Sequence, residues 1–261
     1  FYISDPKLRH IHKATVRDRL LHQAVFQILY PIFDRGFIFD SYSSRVGKGT
    51  HAAVDRLEQF LSKISDNRRQ SAYALKCDIA KFFDSIDHAI LLRLIERRVS
   101  DSNTLQLIRI IVKSFSSVPG KGLPLGNVTS QLFANIYLNE LDQFMKRQLK
   151  LTYYLRYCDD FIVGTPRYED FNAMVKTIGV FLEEHLSLKL HRGKIIVRSY
   201  TQGIDFLGYV VRPYHRVLRT KTKWRLIARI NHKNLNSYFG VLKHCEGRKI
   251  EIEVKKKFSI L

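Results

Sequence analysis

Cysteine is scarce: Cys77, Cys158 and Cys245 stand far apart, odd in number and without a Cys-X-X-Cys pair. That usage excludes a disulfide framework and a thiolate zinc site, and the expected setting is reducing and cytoplasmic. No apolar run approaches the length of a membrane span and no charged-then-apolar leader opens the chain, so no membrane partner is expected. The first residue is Phe1 rather than Met, which suggests a piece of a longer protein. Acidic residues are few: 24 Asp and Glu face 44 Lys and Arg, a formal net charge of +20. Such a field attracts polyanions and raises both on-rate and non-specific affinity, which makes nucleic acid the expected partner. The charge is uneven, since residues 212–261 hold 14 Lys or Arg against 3 Glu. What is abundant is apolar content, 45%, enough in 261 residues for one large body or two packed subdomains.

Carboxylates, though few, are placed in a pattern. Residues 153–163 read Tyr-Tyr-Leu-Arg-Tyr-Cys-Asp-Asp-Phe-Ile-Val, a short polar pair between two runs of strand-forming residues. The pattern predicts a tight hairpin with Asp159 and Asp160 at its tip. Asp-Asp at a turn is common in purely structural hairpins. A second stretch changes the reading: Tyr73, Leu75, Cys77 and Ile79 share one face of a period-two strand, leaving Lys76 and Asp78 on the other. Two such strands can bring Asp78 to the Asp159–Asp160 pair. Clustered carboxylates repel one another and call for a cation, and oxygen-only ligands suit magnesium. Two magnesium ions held in this way are the usual device for in-line phosphoryl transfer.

Tyr157-Cys158-Asp159-Asp160 resembles the Tyr-X-Asp-Asp box of reverse transcriptases, and Asp78 followed by Phe82-Phe83-Asp84 resembles the motif supplying their other metal-binding aspartate. Gly122-Leu123-Pro124-Leu125-Gly126-Asn127-Val128-Thr129-Ser130-Gln131 resembles their dNTP-pocket segment, and the three boxes come in the family's order. The likeness runs from about Pro6 to Lys243. It implies an α+β right-hand polymerase: fingers over 1–70, palm over 71–98, a fingers/palm helix over 99–122, palm again over 123–214, and a partial helical thumb over 215–261. It implies RNA-directed DNA polymerase activity with two Mg2+ ions held at Asp78, Ile79, Asp159 and Asp160. Arg9, Phe83, Leu125, Gly126 and Lys194 then fall at positions that meet the dNTP, Phe83 being the bulky residue beneath the sugar that collides with a 2′-hydroxyl. Lys7, Arg45, Lys48, Gln131, Tyr157, Leu207 and Gly208 are the expected contacts to nucleic acid, the last two in a Phe-Leu-Gly hairpin that cradles the primer end.

Leu125-Gly126-Asn127-Val128-Thr129-Ser130-Gln131 departs from the usual Gln-Gly-X-X-X-Ser-Pro at both ends and resembles the enzymes of diversity-generating retroelements. Val16-Arg17-Asp18-Arg19, Gly47-Lys48-Gly49-Thr50-His51 and Ser237-Tyr238-Phe239-Gly240 resemble them too. Those enzymes copy a template RNA with errors at adenines, which implies template RNA, cDNA and RNA–DNA hybrid as partners, dNTP substrates, and a small basic helical accessory protein. Group II intron-like, retron-like and phage-defence reverse transcriptases are the alternatives, with a non-catalytic RNA-binding scaffold as a different class.

Along the chain, residues 15–30 predict a helix with Val16, Leu20, Ala24 and Ile28 on its buried stripe, stopped by Pro31. A glycine-bearing loop over 41–50 carries Arg45 and Lys48, with Thr50 as the cap of a helix running to about Ile64. Asp84 and Asp87 are expected as helix caps, 129–149 as one long helix and 169–186 as another. Residues 188–198 read as paired strands. Two helical pieces follow Arg216 and look like the start of a thumb, with a merely solvated tail as the plainer alternative for Lys255-Lys256-Lys257.

Overall fold

Alternation along four short strands builds the centre of the molecule, for which the computed structural model describes residues 2–4, 8–12 and 14–258. An antiparallel pair, β1 (Tyr2–Ser4) and β2 (Leu8–His10), precedes α1 (Val16–Asp34) and α2 (Thr50–Ile64). The main sheet opens with β3 (Tyr73–Asp78), and α3 (Phe82–Ser85), α4 (His88–Glu96), α5 (Ser102–Lys113) and α6 (Val128–Gln143) then lead to the hairpin of β4 (Tyr154–Tyr157) and β5 (Asp160–Thr165). After α7 (Phe171–Leu186), β6 (Ile196–Ser199) completes an antiparallel sheet of order β4-β5-β3-β6. A second, three-stranded meander of β7 (Ile204–Phe206), β8 (Tyr209–Val211) and β9 (Arg216–Leu218) passes into α8 (Thr220–Arg229), α9 (Leu235–Leu242) and α10 (Arg248–Lys257). This mixed architecture is the expected α+β class.

Both faces of the main sheet are covered, because successive residues of a strand point to opposite sides. Leu75, Cys77, Tyr154, Phe161 and Val163 face one core, shared with α1, α4, α5, α6 and α7. Ala74, Leu155 and Ile162 face a second, shared with α2, the meander and α8 to α10. Each fully buried Leu, Ile or Phe contributes about 1.5–3 kcal/mol, so the two layers together outweigh any single element's propensity. The predicted buried stripe of α2 holds, with Ala53, Leu57, Phe60, Leu61 and Ile64 all buried. The helix expected over 129–149 spans 128–148, its final turn from Phe144 to Gln148 widened to π geometry and Leu149 capping it.

Several expectations are corrected. Helix α1 runs through Pro31 to Asp34, its last turn held by the buried Phe33 and by Arg45 on Asp34. Its buried stripe is Val25, Leu29 and Phe33, whereas Val16, Leu20, Ala24 and Ile28 face solvent. Thr50 does not cap α2. Gly49 occupies the cap and the Thr50 hydroxyl lies 3.3 Å from the Tyr157 hydroxyl. Asp87 caps α4 through the Ala89 and Ile90 amides, but Asp84 lies inside the one-turn helix α3. Residues 188–198 are not paired with each other: a 3-10 turn at Arg192–Lys194 precedes β6, which pairs with β3. Lys255 and Lys256 belong to α10, which buries Ile250 and Val254, so this stretch is no tail.

Tyr137 ties three of these elements. Its hydroxyl donates to the Leu186 carbonyl of α7 at 2.7 Å and accepts from the Asp87 amide at the start of α4 at 3.3 Å, with no exposed surface. Removing that hydroxyl leaves a buried carbonyl and amide without it, so Tyr137→Phe should lower unfolding free energy by about 1–3 kcal/mol in urea melts. An unchanged midpoint and slope would show that this joint carries no stability.

Candidate active site

Register places the carboxylates. On β3 and β5, Asp78 stands directly opposite Asp160, and Tyr157 pairs with Asp160 across the β4–β5 turn. The two turn residues are Cys158, which takes a left-handed backbone (φ 55°), and Asp159. The three predicted aspartates are therefore brought to one end of the sheet. Ile79 continues β3 and is bridged to Leu190, while the Asp78 carbonyl accepts from the His191 amide at 2.8 Å.

This gathering of charge is unfavourable to the ionised carboxylates. Burial, then repulsion from Asp78, pushes the Asp159 carboxyl above the usual carboxylate range. Burial also raises Asp160, opposed by Lys76 and reinforced by Asp78 and Asp159. Two lysines offset the negative charge: Lys194 Nζ pairs with Asp78 Oδ2 at 2.5 Å, and Lys76 Nζ lies 3.6 Å from Asp160 Oδ2. As arranged, with these lysines turned inward, the described residues form no ready-made cage of three or more His, Cys, Asp or Glu side chains around an ion. The donor set is nonetheless oxygen-only and short of positive charge, which fits a hard divalent cation.

Beneath the turn lies a residue that motif reading passed over. Arg156 on β4 is fully buried and pairs through Nε and Nη2 with both oxygens of the equally buried Asp142 on α6, at 2.8 and 2.6 Å. Its Nη1 donates to the Cys158 carbonyl at 3.0 Å and to Asn135 Oδ1 at 3.2 Å, and Nη2 donates to Ser41 Oγ at 3.1 Å. Burial works against its charge, but Asp142 holds the guanidinium above its ordinary pKa. The Tyr154 hydroxyl completes the set by donating to Asp142 Oδ1 at 2.7 Å. A lone aspartate on the apolar face of α6 between Leu138 and Met145 was the available signal. Lys76 was likewise missed as a partner of Asp160, although its place on the Asp78 face was legible.

The pocket segment lies beside α3. The Phe83 carbonyl accepts from the Leu123 amide at 2.8 Å, and Phe83 is half-buried with its ring edge-on to Phe82. Leu125 is half-buried and its carbonyl accepts from the His12 amide at 3.1 Å. Gly126 has φ 117° and faces Ile11, where a Cβ would press at 3.0 Å, so only glycine suits the join between the first strands and the pocket. Leu207 and Gly208 both take positive φ, the two-residue turn that a right-twisted β7–β8 hairpin favours. Gln131 is exposed on the first turn of α6.

Other candidates are placed elsewhere. Arg45 turns its guanidinium inward to Asp34 and to the Ile38 and Ser41 carbonyls, a structural tie rather than a presented cation. Lys48 lies over the Phe39 ring at 3.4 Å and donates to the Phe39 carbonyl. Lys7 lies outside the described residues, and for Arg9 only the β2 backbone is described.

A sheet hairpin thus presents paired aspartates opposite a third, with the segment over 122–131 leading into α6 alongside. Residues 4–211 match the reverse transcriptase (RNA-dependent DNA polymerase) family, and the chain belongs to it. Protein YkfC of Escherichia coli is 24% identical over 282 residues, covering 92% of this chain and 71% of YkfC. The group II intron-encoded protein LtrA of Lactococcus lactis is 24% identical over 274 residues, covering 79% of this chain and 45% of LtrA. Among solved structures, telomerase from Candida albicans in complex with a fragment of telomeric RNA shares the fold, with a TM-score of 0.59 at 14% identity over 91% of this chain and 46% of that one. Apo telomerase from Candida tropicalis gives 0.60 at 13% identity over 87% of this chain and 44% of that one. The chain thus spans less than half of LtrA and of either telomerase. Among the described residues, no helix is long and apolar enough to cross a membrane.

Because the folded state raises the Asp159 pKa, its charged form weakens the fold at neutral pH. That penalty is absent below the usual carboxylate range, where the side chain is neutral whether folded or not. Asp159→Asn should therefore raise the Tm in metal-free buffer at pH 7, with the gain shrinking as the pH falls. Calorimetry across pH checks this, and a loss of stability at pH 7 would contradict it.

Proposed function

We propose that this chain is the catalytic core of an enzyme that copies a template RNA into cDNA, and that it is the error-prone reverse transcriptase of a diversity-generating retroelement. The observation carrying the catalytic part is the register of Asp78 against Asp160, with Asp159 in the adjoining turn. Asp78, Asp159 and Asp160, with the Ile79 backbone, would hold two magnesium ions, which activate the 3′-hydroxyl nucleophile and stabilise the departing pyrophosphate. Lys194 adds positive charge on the Asp78 side, where a triphosphate's negative charge is accommodated. Phe83, at the edge of the pocket segment, closes the space a 2′-hydroxyl needs. The Leu207–Gly208 turn is the support for the primer end, and the basic α8 to α10 region holds the duplex through backbone phosphates.

Leu125, in the segment that departs from the usual Gln-Gly-X-X-X-Ser-Pro, supports the error-prone subtype. A glutamine there hydrogen-bonds around the incoming sugar and base, and such a directional bond rewards only the correctly placed nucleotide. Leucine makes an apolar contact that discriminates less. The small basic helical accessory protein belongs to this same reading. The likeness to a group II intron-encoded protein favours a second reading, an intron-type enzyme of ordinary accuracy.

Primer extension on an adenine-rich RNA with magnesium, followed by deep sequencing of the cDNA, tests the proposal and separates the two readings. Frequent misincorporation opposite adenine is expected, and uniformly accurate cDNA would return the chain to the intron type. Asp78→Ala and Asp159→Ala should each abolish nucleotide addition while RNA affinity persists, since phosphate contacts come from Lys and Arg. Substantial extension by either variant would remove that aspartate from the metal site. Leu125→Gln should lower misincorporation by about tenfold, the worth of roughly 1.4 kcal/mol of added discrimination, without stopping synthesis. Identical error spectra from both active enzymes would assign Leu125 to packing alone.

A further inference from the structure

The C-terminal ends of α1, α4 and α6 converge with the following π turn around a cavity of 520 Å³. Arg35, Arg97, Arg98, Lys146 and Arg147 line it, against one carboxylate, Glu140. Part of this charge is used within the fold. Arg97 pairs with Glu140 at 3.0 Å, Lys146 with Asp40 at 3.1 Å, and Arg98 donates to the Ile32 carbonyl of α1. Gly36 leaves the room that the Arg98 guanidinium occupies, since a Cβ there would collide with it. Arg35 and Arg147 are exposed, and neither pairs with a carboxylate among the described residues. At the end of α1, Arg98 donates to the Ile32 carbonyl, and Gln143 donates to the Gly36 carbonyl just beyond the helix. The Arg35 and Arg147 side chains donate to none of these carbonyls.

We propose that this cavity is a second nucleic-acid site, which grips the backbone phosphates of a folded RNA segment outside the cleft. The reading rests on the chain's acting on an RNA template. Four of the five cations are arginines, whose planar forks match phosphate oxygens in pairs. Of the apolar lining residues, Phe33, Phe37, Leu94 and Ile136 are buried and Ile38 is half-buried, so none is the exposed apolar anchor on which protein partners depend. Along α6, Glu140 lies twelve residues beyond Val128, about 18 Å from the pocket end of the helix. An RNA long enough to leave the cleft and fold back is the ligand that reaches both sites.

The test uses the chain with Arg35→Glu and Arg147→Glu together, two exposed changes that break no pair. Two probes are compared: a short primer–template hybrid, and a long internally folded RNA carrying the same template. The double variant should bind the folded RNA roughly tenfold more weakly, with a salt slope shallower by about 1.4 to 1.8, the release expected for two phosphates. Extension of the short hybrid should be unchanged. Equal losses on both probes, or none on the folded RNA, would overturn the second site. So would inorganic phosphate competing at the cavity as well as RNA does, which marks a small-anion site, or an acidic protein lost by the variant while RNA affinity is kept. Failure of the parent to extend the short hybrid is a separate result that strikes the polymerase reading instead.

Discussion

The buried Arg156–Asp142 pair is the interaction on which the arrangement of the site depends. Taking both charges out of water costs several kcal/mol each, and that cost is offset here only because nearly every polar atom has a partner. Asp142 receives three donors from Arg156 and Tyr154, and the guanidinium reaches three further groups, on α6, in the hairpin turn and in the loop before α2. An apolar packing of the same volume holds a hairpin against a helix without choosing the direction of a carbonyl. Arg156 does choose: it fixes the Cys158 carbonyl, and with it a left-handed turn that turns the neighbouring Asp159 toward Asp78.

The same arginine links parts of the site that are distant in sequence. Through Asp142 and Asn135 it is joined to α6, whose other end begins at the pocket segment containing Leu125 and Gly126. Asn135 in turn donates to the Ser43 carbonyl, and Arg156 itself donates to Ser41, in the loop that carries Arg45 and Lys48. The aspartates therefore sit on a scaffold tied to the pocket helix and to the loop before α2. Above them Lys76 spans Asp160 and the Asp205 carbonyl of β7, tying the second sheet to the same centre.

The hairpin and the gathering of the three aspartates are legible in the sequence because each rests on a local signal, alternation or a turn pair. The stripe of α2 was legible for the same reason. In α1 it failed because Val16, Leu20, Ala24 and Ile28 and the Val25, Leu29, Phe33 row are both apolar, so periodicity offers two faces and only tertiary packing selects one. Pro31 predicts a stop on local chemistry, yet contacts from Phe33 and Arg45 keep the last turn helical. Residues 188–198 alternate like a hairpin, but the partner of β6 is β3, more than a hundred residues away, and pairing at that range leaves no local trace. Arg45 and Arg156 were hidden for another reason. An arginine is read as a surface cation by default, and what draws both inward is a carboxylate on a helix, half-buried Asp34 for Arg45 and fully buried Asp142 for Arg156.

The most direct test of this scaffold replaces its charges by apolar groups of similar size. Unfolding free energy and primer extension are to be measured for Arg156→Met alone and for Arg156→Met, Asp142→Leu and Tyr154→Phe combined. The single change leaves a buried carboxylate unpaired and should cost about 3–5 kcal/mol, while the triple change, which removes that carboxylate, should recover most of the loss. Extension should stay depressed by tenfold or more in the triple variant, because the Cys158 carbonyl has lost its donor. Recovery of both stability and parent-level extension would contradict the account, since the pair would then be packing and not the part that orients the aspartates.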